Sequence, residues 1–134
     1  MRVLYAELEF TDDRRYVYNG SPFTGVGYEV HSNGTTSCEI RFRDGLEHGP
    51  ARDYYPSGQL MSEARYRKGL KHGVWLEYGE DGEPIERCEL AYDVLMTRTR
   101  WNESGDVIEK YVREPDDHLS VLVAEKQKKD GESE

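Results

Sequence analysis

The sequence predicts a mostly β fold: an elongated antiparallel sheet of successive 24-residue β-hairpins, followed by a short C-terminal capping helix. Three observations predict it. Gly25, Gly49 and Gly73 are spaced 24 residues apart, and so are Gly34, Gly58 and Gly82, each nine positions further on. Longer strings recur in the same phase: Gly45-Leu46-Glu47-His48-Gly49 returns as Gly69-Leu70-Lys71-His72-Gly73, and Arg41-Phe42-Arg43-Asp44-Gly45 as Arg65-Tyr66-Arg67-Lys68-Gly69. Within each unit the polarity alternates on both sides of a turn such as Tyr55-Pro56-Ser57-Gly58. A fixed period in this range means one supersecondary unit stacked on copies of itself. Such arrays present surfaces and seldom build catalytic pockets.

The elements follow in order. Residues 3–10 alternate, with Leu4, Ala6, Leu8 and Phe10 on one side, and read as a strand. Thr11-Asp12-Asp13 is a turn, and Arg14 to Tyr18 a second strand ended by Asn19-Gly20. Three full units follow, near 25–45, 49–69 and 73–93, and a degenerate fourth near 96–113, in which Gly105 follows Gly82 by 23 residues. The unit turns suit a type I turn with glycine in the left-handed position. That geometry pairs His31 with Thr35, Tyr55 with Gln59, Tyr54 with Leu60, Asp53 with Met61 and Glu77 with Ile85. Strict alternation from those pairs puts Val26, Tyr28, Val30, Cys38, Ile40 and Phe42 on one buried face, with the even-numbered apolar positions of later units. The opposite face then carries repeat-equivalent charges: Glu29, Asp53 and Glu77 in one column, with Glu39 and Glu63, Arg41 and Arg65, and Arg43 and Arg67 in others. After Glu114-Pro115 the pattern becomes helical over 116–129. Asp116 or Asp117 is the cap, Leu119, Leu122 and Val123 form the apolar stripe, and Lys126, Lys128 and Lys129 lie near the negative end. Residues 1–115 are expected to form a single repeat domain, and 130–134 a disordered tail.

Composition narrows the function. The chain has 134 residues, is 34% charged and 36% hydrophobic, and carries a net charge of −9. An acidic surface argues against binding nucleic acid or anionic membrane and is compatible with a basic protein partner. No apolar stretch is long enough for a signal peptide or a membrane span, which points to the cytoplasm. Cys38 and Cys88 lie about two repeats apart, a separation of about 20 Å at two strand spacings per hairpin, and are expected to be reduced. His48 and His72 fall about 10 Å apart in equivalent positions, too far to share an ion, and read as residues bonding local backbone. No motif with metal, phosphate-loop or nucleophile spacing occurs, so neither a cofactor nor catalysis is expected.

Pro22-Phe23-Thr24-Gly25, Tyr54-Tyr55-Pro56-Ser57-Gly58-Gln59-Leu60 and Tyr66-Arg67-Lys68-Gly69-Leu70-Lys71-His72-Gly73-Val74-Trp75 resemble the bacterial variant of the MORN repeat, in particular the YwqK-type antitoxin family. The resemblance covers roughly residues 16–111. It implies an elongated sheet of hairpins and a cognate toxin partner, of nuclease or deaminase class, neutralised by binding. The third unit departs from the pattern, with Gly79-Glu80 where the second has Tyr55-Pro56.

The candidate partner-binding residues are Glu29, Asp53, Glu63 and Glu77 as the acidic rim, and Tyr55, Met61, Trp75 and Ile85 as apolar contacts that alternation places among them. The expected function is a noncatalytic antitoxin or immunity protein that binds a basic toxin domain through the outer face of its sheet. The alternative is a scaffolding module unrelated to toxins. Stoichiometry is left open.

Overall fold

A computed structural model describes residues 1–131. The strands are β1 (Arg2–Leu4), β2 (Glu9–Phe10), β3 (Tyr16–Tyr18), β4 (Ser21–Pro22), β5 (Gly25–Val30), β6 (Thr36–Arg43), β7 (Leu46–Tyr54), β8 (Leu60–Arg67), β9 (Leu70–Lys71), β10 (Gly73–Tyr78), β11 (Pro84–Ala91), β12 (Val94–Trp101) and β13 (Val107–Val112). A 3-10 turn spans Tyr5–Glu7, and helix α1 spans His118–Lys129. The main sheet runs β1-β5-β6-β7-β8-β10-β11-β12-β13, with β9 paired to β8, and a small sheet runs β2-β3-β4. Apart from β1, which joins the edge parallel to β5, every main-sheet pairing is antiparallel. This is the expected array of hairpins with a C-terminal helix.

Two turn types build it. Within a hairpin, the amide of Tyr55 donates to the Gln59 carbonyl at 2.9 Å and that of His31 to Thr35 at 2.7 Å, with the turn glycines near φ +85° to +91°. Between hairpins, two successive residues take positive φ: Asn19-Gly20, Asp44-Gly45, Lys68-Gly69 and Tyr92-Asp93. Two positive φ values in a row are the signature of a type I′ turn, whose twist matches the strands it joins.

Within the hairpins the register differs from strict alternation in one repeated way, and two further shifts fall between hairpins, at Ile40/Phe42 and Glu89/Leu90. Val30 pairs with Thr36 but Glu29 with Cys38, Tyr54 with Leu60 but Asp53 with Ser62, Tyr78 with Pro84 but Glu77 with Glu86, and Trp101 with Val107 but Arg100 with Glu109. Each hairpin therefore carries a β-bulge, with Ser37, Met61, Ile85 and Ile108 as the extra residues. The expected pairs Asp53 with Met61 and Glu77 with Ile85 are displaced by one position. Because side chains alternate with a period of two, that slip exchanges the faces of one strand in every hairpin. Val26 and Tyr28 stand cross-strand from Arg41 and Glu39, whereas Phe42 and Ile40 stand opposite Gly25 and Gly27. The expected single buried face is thus two half-faces, and the charge columns are divided between the two sides of the sheet.

The most compact core lies at the N-terminal end. Val3, Phe23 and Phe42 are buried, with Tyr5, Leu8, Tyr16, Tyr18 and Ile40 packed around them. Ring centroids of Tyr16 and Phe23 lie 5.0 and 5.6 Å from Phe42. The first segment is therefore not the continuous strand that alternation suggests: β1 inserts Val3, not Leu4, and the 3-10 turn folds Tyr5 and Leu8 over the glycines of β5. A Cβ at Gly27 would meet Phe42 at 3.0 Å and Leu8 at 3.3 Å, so the empty side of this glycine is where the rings lie.

The helix begins as expected, with the Asp117 carboxylate accepting from the Ser120 amide at 2.9 Å. Its buried stripe differs. Ser120 and Val123 face inward while Leu119 and Leu122 remain exposed. The cause is the anchor: Arg113 pairs with Asp117 at 3.0 Å and the Ser120 hydroxyl donates to the Glu114 carbonyl at 2.7 Å, which rotates that side of α1 toward the sheet. Of the disordered tail expected at 130–134, residues 132–134 lie outside the described residues. Asp130 caps the helix and accepts from the Tyr92 hydroxyl at 2.9 Å.

Candidate functional site

The bulges bring together a row that alternation had split. Glu29 pairs with Cys38, Cys38 with Asp53, Asp53 with Ser62, Ser62 with Glu77, Glu77 with Glu86, Glu86 with Arg100, and Arg100 with Glu109. Cross-strand partners share a face, so these eight residues form one line across β5, β6, β7, β8, β10, β11, β12 and β13. At about 4.8 Å per strand the row is roughly 33 Å long. Glu29, Asp53 and Glu77 recur on alternate strands, about 10 Å apart.

Neighbours tune this line. The Asp53 carboxylate accepts from the Ser62 hydroxyl at 2.8 Å, and Asp53 and Glu29 are exposed. Burial pushes the Cys38 thiol up, and the Glu29 and Asp53 charges on either side push it further, so it stays a neutral thiol in an acidic field. Glu77 and Glu86 stand directly opposite, a repulsive pairing. Glu86 is relieved from its other side, with Arg98 Nε at 3.3 Å and Arg100 Nε at 3.4 Å. Glu109 in turn lies 3.2 Å from Arg100 and 3.8 Å from Arg98. Beyond β11 the row is therefore charge-compensated, and its uncompensated part is the Glu29–Asp53–Glu77 portion. Cys88 is fully buried and donates to Glu86 Oε2 at 3.2 Å; burial, more than that bond, raises its thiol pKa. Both cysteines are free, and four strand spacings separate their strands.

The eight candidate residues divide into three places. Glu29, Asp53, Glu77 and Trp75 share the row's face, Trp75 standing cross-strand from Cys88 with the Lys71 ammonium 4.8 Å from its ring centroid. Glu63 lies on the opposite face, cross-strand from Arg52 and Leu76, with Arg52 Nε bonded to its carboxylate at 2.5 Å. It belongs to a chain of charges with Glu39, which takes Arg2 at 3.3 Å and the Tyr54 hydroxyl at 3.1 Å. The acidic rim that included Glu63 is thus corrected: its register was one residue off. Tyr55, Met61 and Ile85 sit at the turn edge. Tyr55 is half-buried and donates its hydroxyl to the Tyr78 carbonyl at 2.8 Å, while Met61 and Ile85 are the bulge residues. They do not form one cluster with Trp75 on an outer face. Sequence reasoning missed Glu86 and Glu109. The repeat offered a signal for Glu86, which stands 24 residues after Ser62 and 48 after Cys38.

Three of the four histidines bond backbone. His48 Nδ1 accepts from the Lys68 amide at 3.3 Å, His72 Nδ1 from the Tyr92 amide at 3.2 Å, and His31 Nε2 lies 2.8 Å from the Tyr54 carbonyl. Among the described residues, no group of three or more histidine, cysteine or acidic side chains is placed to hold a metal ion, and no helix is long and apolar enough to cross a membrane.

Comparison with known proteins adds three findings. Residues 47–68 match the family described as MORN repeat variant. Over 105 residues the chain is 40% identical to the immunity protein YwqK of Bacillus subtilis (strain 168), the alignment covering 78% of this chain and 68% of that protein. Among solved structures, a crystal structure of the GtfA/B complex bound to UDP and GlcNAc aligns with a TM-score of 0.38 and 14% identity, over 69% of this chain and 23% of that one.

Proposed function

Because the chain belongs to the MORN-variant family of the immunity protein YwqK, we propose that it is itself an immunity protein, acting without catalysis by binding a cognate protein toxin in the cytoplasm. The toxin is of the nuclease or deaminase class that the resemblance implies. The observation that carries the proposal is the uncompensated acidic part of the cross-sheet row, Glu29, Asp53 and Glu77, with Trp75 on the same face. A nuclease or nucleic-acid deaminase presents a basic surface to its substrate's phosphates. A rigid line of carboxylates at intervals of about 10 Å occupies that surface and excludes the substrate, and the same field speeds encounter.

The test uses the toxin domain captured at low salt by the tagged protein from its native cells. The double variant Asp53→Lys and Glu77→Lys is expected to associate at least about tenfold more slowly, to lose most of its salt dependence, and to stop protecting cells that express the toxin. Unchanged association and protection would sink the acidic-row interface. Capture of a housekeeping complex with no toxin would sink the immunity reading.

A further inference from the structure

The first two hairpins each pass a side chain to the next along the turn edge. The His31 imidazole meets the Tyr54 carbonyl at 2.8 Å, and one period later the Tyr55 hydroxyl meets the Tyr78 carbonyl at the same distance. Asn33 Nδ2 and Thr35 Oγ1 reinforce the first junction by donating to the Pro56 carbonyl at 3.0 and 3.2 Å. The third unit places Gly79 where the others place His31 and Tyr55. With no side chain to pass on, the stack opens between the turn at 79–83 and the turn at 102–105, leaving a cleft that Ile85 and Trp101 line. Its rim is acidic from both turns: Glu80, Asp81 and Glu83 on one, Glu103 on the other. Among the described residues no lysine, arginine or histidine lines it.

We propose that this cleft is a receptor for an arginine side chain on a basic segment of the protein partner. Two features specify that occupant, in a cleft whose volume of about 1160 Å³ takes a long side chain together with the segment that carries it. Trp101 offers an aromatic face, on which a guanidinium stacks better than a compact, strongly hydrated ammonium. Carboxylates on opposing turns match the planar fork of donors that a guanidinium presents. The proposal rests on the reading that the chain works by holding a protein partner, and it adds a second contact, at the turn edge, to the row on the sheet face.

Gly79 also supplies the test. Its φ is ordinary for an L residue, and a Cβ there would meet the Asp81 carboxylate at 2.9 Å and Ile85 at 3.7 Å, the first being the end of an exposed side chain. Gly79→Tyr therefore restores the repeat's own side chain and narrows the cleft beside Ile85. Amide-resolved NMR of the full chain would be followed as a short blocked peptide alternating arginine with glycine is added, then its lysine counterpart. Expected are shifts confined to 79–85, 101–105 and the Trp101 indole, about tenfold weaker binding of the lysine peptide, and a weakened response in Gly79→Tyr. Shifts centred on Glu29, Asp53 and Glu77, equal affinity for both peptides, or undiminished binding in Gly79→Tyr would overturn the proposal. Should Gly79→Tyr not fold, the exposed pair Glu80→Gln with Glu103→Gln decides the matter: about tenfold loss supports the cleft and unchanged affinity refutes it. No toxin is needed, so a protein that binds the arginine peptide yet protects no cell keeps the cleft and loses the immunity reading. One that protects but ignores the peptide does the reverse.

Discussion

Glu47 shows how a single residue registers its position in the array. It pairs across the sheet with Phe42, on the crowded side of the first unit. Burial lifts its carboxyl above the ordinary range, only partly offset by its own backbone amide, and the Asp93 charge adds to the lift. The folded state therefore holds that proton more tightly than the unfolded chain does. Stability declines as pH rises from the ordinary carboxylate range through Glu47's higher value, and the penalty is constant at neutral pH. Glu47→Gln keeps the shape and removes the charge. Its urea midpoint at neutral pH should exceed that of the parent, with the difference gone below about pH 3, where both states are protonated; an equal gain at both pH values would show that charge is not the cause. The repeat made Glu29, Asp53 and Glu77 legible as equivalent, because a period of 24 alone fixes that. It left their partners illegible, because pairing depends on what each turn adds to the second strand.

Elements carry the next layer. Gly25 begins the first full hairpin at φ +151°, and a Cβ there would sit 2.4 Å from the Met1 carbonyl, which accepts from the Val26 amide at 2.8 Å. Gly25→Ala should push β1 off the edge of the sheet. The expected cost is about 1–3 kcal/mol by chemical denaturation, with the Val26 amide losing its protection from exchange; a protected amide would contradict the mechanism. Turns were legible at this scale because glycine and asparagine report positive φ directly. Bulges were not, since Ser37, Met61, Ile85 and Ile108 share no chemical type. Their trace was indirect: Leu60-Met61 and Val107-Ile108 set two apolar residues side by side where alternation demands one. Alternation turned that trace into Met61 and Ile85 lying among acids on an outer face, which was a register error made visible. The helix's existence and cap were equally legible. Its buried stripe was not, because Arg113 and Glu114, outside the helix, set its rotation.

Over the whole molecule, burial is uneven. Val3, Phe23 and Phe42 gather at one end, while Val107, Ile108 and Val112 of the last strand are more than half exposed. In an array each unit contacts only its neighbours, so a loss at one end is felt mainly there. Phe42→Ala should cost about 3–5 kcal/mol and expose the β3, β5 and β6 amides to exchange. The β12–β13 amides, which open through local fraying, should exchange at nearly their original rate. Uniform acceleration along the chain would mean that the array unfolds as one block. The four bulges also have a consequence for inheritance. Each extra residue stands outside the ladder, so replacing it breaks no backbone pairing, and the four positions recur along a single margin at intervals of 24, 24 and 23 codons. Descendants of this gene can revise that margin one codon at a time while the pairing scheme passes on unaltered.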